Sequence, residues 1–176
     1  RPAWTLCIGR TSWWVMFFVY APIYLTESGY APDTAALLVS AGVGSMFLAP
    51  LWGAIGRKKG FRFLLTFGYA LAGAITILIV FTGGSPTAAA VLIVVSAVAA
   101  VIVDGAGNIA FLRAVHPYER AEMTSVFVTF RHTAQLITPG LFALVLGVFA
   151  LPAVFAVGGL GFLSMAGLSR YLPKKL

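Results

Sequence analysis

Gly53-Ala54-Ile55-Gly56-Arg57-Lys58-Lys59-Gly60-Phe61-Arg62 is a short basic stretch between two long apolar runs. Arg57, Lys58, Lys59 and Arg62 cannot rest in hydrocarbon, so the runs on either side must end here. Gly56 and Gly60 are expected to supply the backbone reversal, because glycine tolerates positive φ. Cations concentrated in so brief a loop hold it on the cytoplasmic side of a membrane. The stretch therefore predicts a cytoplasmic hairpin between two spans and gives the chain an orientation.

Composition supports the same reading. Of 176 residues, 60% are hydrophobic and 10% charged, with mean hydropathy +0.97; a soluble domain is ordinarily about a quarter charged. The net charge of +7 is not the footprint of a nucleic-acid binder, because the cations sit at the ends of apolar runs and not on one water-facing surface. A helix needs about 20 apolar residues to cross hydrocarbon. The sequence supplies that length repeatedly, at 4–26, 34–56, 61–82, 87–113, 120–149 and 152–172. Strand alternation is nowhere sustained, so the predicted fold is all-α: a polytopic membrane protein with six transmembrane helices, forming one bundle over 1–176.

Every loop tests the orientation. Arg57, Lys58, Lys59, Arg62, Arg113 and Arg120 fall in alternate loops, and Arg1, Arg170, Lys174 and Lys175 lie at the chain ends. Glu27 and Asp33 fall on the other side without a cation. Only Arg10 and Arg131 lie within spans. The positive-inside rule then puts both termini in the cytoplasm, and a bacterial inner membrane is the expected location. The first apolar run is too long for a secretory leader and lacks a small-residue cleavage site. Because the chain begins at Arg1 without a methionine, a processed or partial chain is expected.

Local signals refine the spans. Asp33-Thr34 and Ser85-Pro86 read as helix starts. Pro22, Pro50 and Pro139 fall inside spans and favour bends. Small residues recur at four-residue spacing, Ala36, Ser40 and Gly44 in the second span and Gly68, Ala72 and Thr76 in the third. Such stripes let helices approach closely where no hydrophobic effect drives them together.

With six spans around it, the basic stretch resembles the signature between the second and third helices of each half of a major facilitator superfamily transporter, Gly-x-x-x-Asp-Arg-x-Gly-Arg-Arg. Gly53, Gly60 and Arg62 match, and Lys58 keeps the charge of the first arginine. Arg57 stands at the signature's aspartate, which makes a gating contact in the family, and Phe61 stands at its second-last arginine. The segment from Arg131 to Pro139-Gly140 loosely resembles the family's fifth helix. The resemblance implies half, and from the basic tail the C-terminal half, of a secondary active transporter. Such a transporter moves a small solute by alternating access, with its substrate between two six-helix halves. Its partners would be membrane lipid, the small-molecule substrate and a second half, in the same chain or in a homodimer. The competing class is a non-transporting subunit of the same fold that docks in a larger membrane complex; the half-length and Arg57 favour it.

The polar groups within the spans are the candidate substrate and coupling residues: Arg10, Asp104, Asn108, Arg131 and His132. Charges at such depth are costly and usually face the bundle interior or a water-filled cavity. Asp104 and Arg131 lie at equal sequence distance from the turn joining their helices, so an antiparallel hairpin puts them at similar depth. Arg10 reaches a comparable depth from the N-terminus. The expected cluster is Asp104 neutralising either Arg131 or Arg10, and it admits two readings: a structural ion pair, or a coupling site at which Asp104 carries a proton. Asn108 lies one turn beyond Asp104, and His132 titrates near neutral pH or packs by hydrogen bonding. Trp13, Trp14, Tyr20 and Tyr24 either line a cavity or face lipid or neighbouring helices.

Enzyme chemistry finds no support. The chain has no Walker-type loop, no nucleophile elbow, and in His116, His132 and the single Cys7 no metal-ligand spacing. No cofactor is expected.

Overall fold

A computed structural model of the protein describes residues 2–83, 85–107, 116 and 119–171. Its regular structure is helical throughout these residues. We number the α-helices α1 (Pro2–Glu27), α2 (Pro32–Gly44), α3 (Ala49–Lys59), α4 (Phe61–Leu78), α5 (Pro86–Asp104), α6 (Arg120–Val148) and α7 (Pro152–Ser169). Among the described residues, five stretches are long and apolar enough to cross a bilayer: Trp4–Glu27, Pro32–Lys59, Phe61–Thr82, Pro86–Asp104 and Pro152–Ser169. The protein is an integral membrane protein. At 29 residues, α6 is the longest helix, and its first half carries the more polar sequence, including Arg131 and His132.

The second apolar run is one span built from two helices. Between α2 and α3 the chain tightens into a 3-10 turn, Ser45–Leu48, and Pro50 falls in the first turn of α3. A proline has no N–H to donate, so that position is tolerated only where an α-helix has just begun. The Ser45 hydroxyl donates to the Gly42 carbonyl at 2.6 Å, occupying an acceptor freed by the break. In contrast, α1 and α6 run through Pro22 and Pro139 as continuous helices.

Helix ends follow local chemistry, with two differences from expectation. Ser85 caps α5, its hydroxyl accepting from the Ala88 N–H at 3.5 Å, with Pro86 at the first helical position. The start of α2 is Pro32, preceded by Ala31; Asp33 sits in the first turn and interacts with the helix dipole without capping. The larger difference is at the far end of α5. The fourth span was expected over 87–113; α5 runs to Asp104 and passes into a turn at Gly105-Ala106-Gly107, and 108–113 lie outside the described residues.

The bundle is organised around α4, which lies along α7 on one side and α5 on the other, while α1 crosses α6 and α7 and α2 packs on α5 and α1. Glycine sets these approaches. A Cβ on Gly68 would lie 2.9 Å from the Val103 side chain, and one on Gly73 would lie 2.8 Å from the Gly159 carbonyl oxygen. Thus the Gly68-Ala72-Thr76 stripe is the buried seam of α4. The second stripe, Ala36, Ser40 and Gly44, is exposed, with Ala36 and Ser40 lining an open cleft beside Phe18 and Pro22 of α1.

Aromatic packing fills the centre. The Trp13 ring, 2% exposed, stacks on Phe17 and Phe162 at 5.3 and 5.5 Å between ring centroids. Its indole N–H donates to Thr76 Oγ1 at 3.0 Å, and the Tyr69 hydroxyl donates to the Leu6 carbonyl at 2.6 Å. Both polar tips are therefore satisfied where hydrocarbon offers no alternative. Tyr20 packs edge-on against Phe142, and Tyr24 bonds Thr82 Oγ1 at 3.0 Å. Tyr20 and Tyr24 face neighbouring helices, while Trp13 also lines a cavity of about 320 Å³ between α1, α6 and α7.

Replacing Gly73 by valine should destabilise the detergent-solubilised protein by about 1–3 kcal/mol through overpacking against Gly159, read as a lowered Tm. Gly44→Ala, where nothing lies within 4 Å, should instead leave Tm unchanged or raise it. Equal effects would refute glycine-limited packing of α4 on α7.

Candidate functional site

Three positions on α1, Cys7, Arg10 and Trp14, are spaced by three and four residues and so share one helical face. That face meets the C-terminal end of α5. Arg10 Nε lies 3.4 Å from Asp104 Oδ1, and the Trp14 indole N–H donates to Asp104 Oδ2 at 2.8 Å. Each carboxylate oxygen thus has its own partner from a neighbouring turn of α1. The Cys7 thiol donates to the Gly107 carbonyl at 3.6 Å, below the pair. Phe130 of α6 approaches from a third side, its ring centroid 5.8 Å from the Arg10 guanidinium carbon, in cation–π range. Arg10 consequently joins α1, α5 and α6 at one point.

Of the two expected partners for Asp104, the ion pair is made with Arg10. Arg131 and His132 are exposed, while Phe130 beside them is buried. Equal depth brought α6 level with Asp104, but rotation about the helix axis turned Phe130 inward. Asn108 lies outside the described residues. The local signal for Trp14 and Cys7 was their helical spacing from Arg10. Phe130 had none beyond adjacency to Arg131.

The glycines of the turn after Asp104 hold the site closed. A Cβ on Gly107 would overlap the Arg10 guanidinium. A Cβ on Gly105 would lie 2.7 Å from the Ala49 carbonyl oxygen and 3.0 Å from the Gly53 nitrogen, so only glycine admits the α3 backbone here. Gly53 is in turn 3.3 Å, at its Cβ position, from the Gly105 carbonyl oxygen. The first glycine of the basic stretch therefore packs on the residue that follows Asp104. Trp52 lies at the same contact, and its buried indole N–H has no hydrogen-bond partner among the described residues.

At the other end of the stretch the two glycines differ in role. Gly60 alone has positive φ, +93°, and makes the reversal between α3 and α4. Gly56 stays helical; a Cβ there would lie 2.7 Å from the Phe61 ring. Phe61, where the resembling signature has arginine, is buried in that notch. Arg57 and Lys58 are exposed, and Arg62 is half-buried.

The Arg10 and Asp104 side chains are 10% and 21% exposed. In a medium of low dielectric, either charge alone is strongly disfavoured.

A Gly107→Ala substitution should reproduce the loss of the ion pair without removing either charge. In a double-mutant cycle of Arg10→Gln and Asp104→Asn, unfolding in detergent should give a coupling energy of about 0.5–3 kcal/mol. Within the Gly107→Ala background that coupling should fall towards zero.

Beyond this geometry, one comparison is informative: the family model described as Major Facilitator Superfamily matches residues 3–175. No curated protein and no solved structure matches the chain.

Proposed function

We propose, because this chain belongs to the major facilitator superfamily, a family of membrane transporters, that it is a secondary active transporter moving a small solute by alternating access. The observation that carries the reading is the Arg10–Asp104 ion pair within the bundle, joined through Gly105 and Gly53 to the basic turn. In this mechanism the pair is intact in one state of the bundle. Protonation of Asp104, or an anionic group of the solute taking its place beside Arg10, separates α1 from the end of α5. The movement passes through the Gly105–Gly53 contact to α3 and the turn at Gly60. Trp14 positions the carboxylate, and the free Trp52 donor offers the solute a hydrogen bond beside it.

The second half of the transporter, in the same chain or as a second copy, would cover the exposed side of α2. Support comes from that helix itself, whose Ala36-Ser40-Gly44 stripe is suited to close helix packing yet exposed. The loops rich in cations would face the cytoplasm, with both termini on that side of a bacterial inner membrane. A docking subunit without transport is the second reading, favoured by Arg57 at the signature's acidic position.

Reconstituted into proteoliposomes with an imposed pH gradient and screened against small anionic and apolar solutes, the protein should accumulate at least one of them. Asp104→Asn should reduce that uptake by tenfold or more while the purified protein keeps its helical circular dichroism. Full-rate uptake by the variant would remove Asp104 from the mechanism. Absence of uptake for all solutes by the wild-type protein would favour the docking reading.

A further inference from the structure

A second cluster of charge lies away from the ion pair, where the ends of α3, α4 and α7 meet. Lys59 closes α3, Arg62 lies in the first turn of α4, and Arg170 follows the last turn of α7. Together with Gly60, Phe63 and Thr66 they line an open cleft of about 460 Å³. Its floor is fixed by a hydrogen bond of 2.7 Å between the Thr66 and Ser169 hydroxyls, which ties α4 to α7.

The charge in this cleft is unbalanced. No carboxylate lines it among the described residues; Glu27, Asp33, Asp104 and Glu119 stand elsewhere. Arg62 also occupies the first turn of an 18-residue helix with no acidic residue in that turn. The partial positive charge of a helix N-terminus disfavours a cation there and favours an anion. The positive-inside rule accounts for cations at this end of the bundle. It does not account for cations from two distant parts of the chain lining one cleft.

The cleft continues into an apolar track. Phe63, at its edge, and Phe67, one turn deeper on α4, are 55% and 45% exposed, and their rings stack at 5.9 Å with an interplanar angle of 11°. A basic site at the membrane boundary with a flat aromatic surface leading into hydrocarbon complements a molecule that has an anionic head and an acyl tail. We infer that Lys59, Arg62 and Arg170 bind the phosphate headgroup of an anionic phospholipid, with one acyl chain lying along Phe63 and Phe67. The inference rests on the membrane-spanning fold and is independent of the solute or of transport itself. A lipid in this cleft would bridge the start of α4 to the end of α7, beside the turn that reverses at Gly60. Basic pockets between spans on the cytoplasmic side are suited to such headgroups.

Native mass spectrometry of the purified protein, titrated with phosphatidylglycerol or with phosphatidylcholine of the same acyl chains, tests this directly. Phosphatidylglycerol should bind preferentially. Arg62→Gln/Arg170→Gln should weaken it by about tenfold, whereas Arg57→Gln/Lys58→Gln, which removes the same charge from the same end of the bundle, should have little effect. Lys59→Gln, at an exposed side chain, provides the smaller version of the test if the first double variant does not fold. Equal binding of the two lipids, or equal losses in the two double variants, would overturn the inference. So would displacement of phosphatidylglycerol by millimolar inorganic phosphate, which would mark the cleft as a site for soluble anions.

Discussion

Hydrocarbon supplies neither hydrogen bonds for a backbone nor solvation for a charge, and the architecture of this protein follows from those two deficits. The first makes each span a helix, since only there are N–H and C=O groups paired within the segment. Where the α2–α3 span departs from regular helix, the Ser45 hydroxyl bonds the Gly42 carbonyl. The second deficit makes Arg10 and Asp104 partners. Either alone at that depth is costly; together, with Trp14 on the second carboxylate oxygen and Phe130 beside the guanidinium, they are retained.

Association of the helices has a different origin. Lipid tails are as apolar as leucine, so close van der Waals packing at small residues must hold the bundle together. Gly73 lies against Gly159, Gly68 against Val103, and Gly105 against Gly53. The last contact joins the polar pair to the basic turn. A glycine that reads in the sequence as part of a loop signature is, in the fold, the surface on which the end of α5 rests. The same stretch also borders the cleft of Lys59, Arg62 and Arg170. One short turn therefore touches both charged regions of the protein.

Much of the candidate site was legible from residue type alone. A lone aspartate and a lone arginine within apolar runs stand out because their burial is so unfavourable, and Arg10 and Asp104 were both found in this way. Choosing between Arg10 and Arg131 was harder. Equal distance from a turn fixes depth along a hairpin, but a rotation of one residue, about 100°, exchanges Arg131 for Phe130 on the inner face. Past Asp104 the chain turns at Gly105-Ala106-Gly107, where the glycines at 105 and 107 admit α3 and Arg10. Likewise the two glycines of the turn looked equivalent, yet only Gly60 needs positive φ; Gly56 is required by the ring of Phe61.

By itself the sequence determined that the protein is helical and membrane-embedded and which family it belongs to. These follow from one-dimensional quantities: the length of apolar runs, the positions of cations between them, and the spacing of Gly53, Gly60 and Arg62. Tertiary structure alone decided which charge pairs with Asp104, which stripe of small residues is a seam and which is exposed, and that Arg170 shares a cleft with Lys59 and Arg62. Each of these depends on the rotation of one helix against another. Periodicity identifies a helix face but carries no information about which neighbour that face will meet.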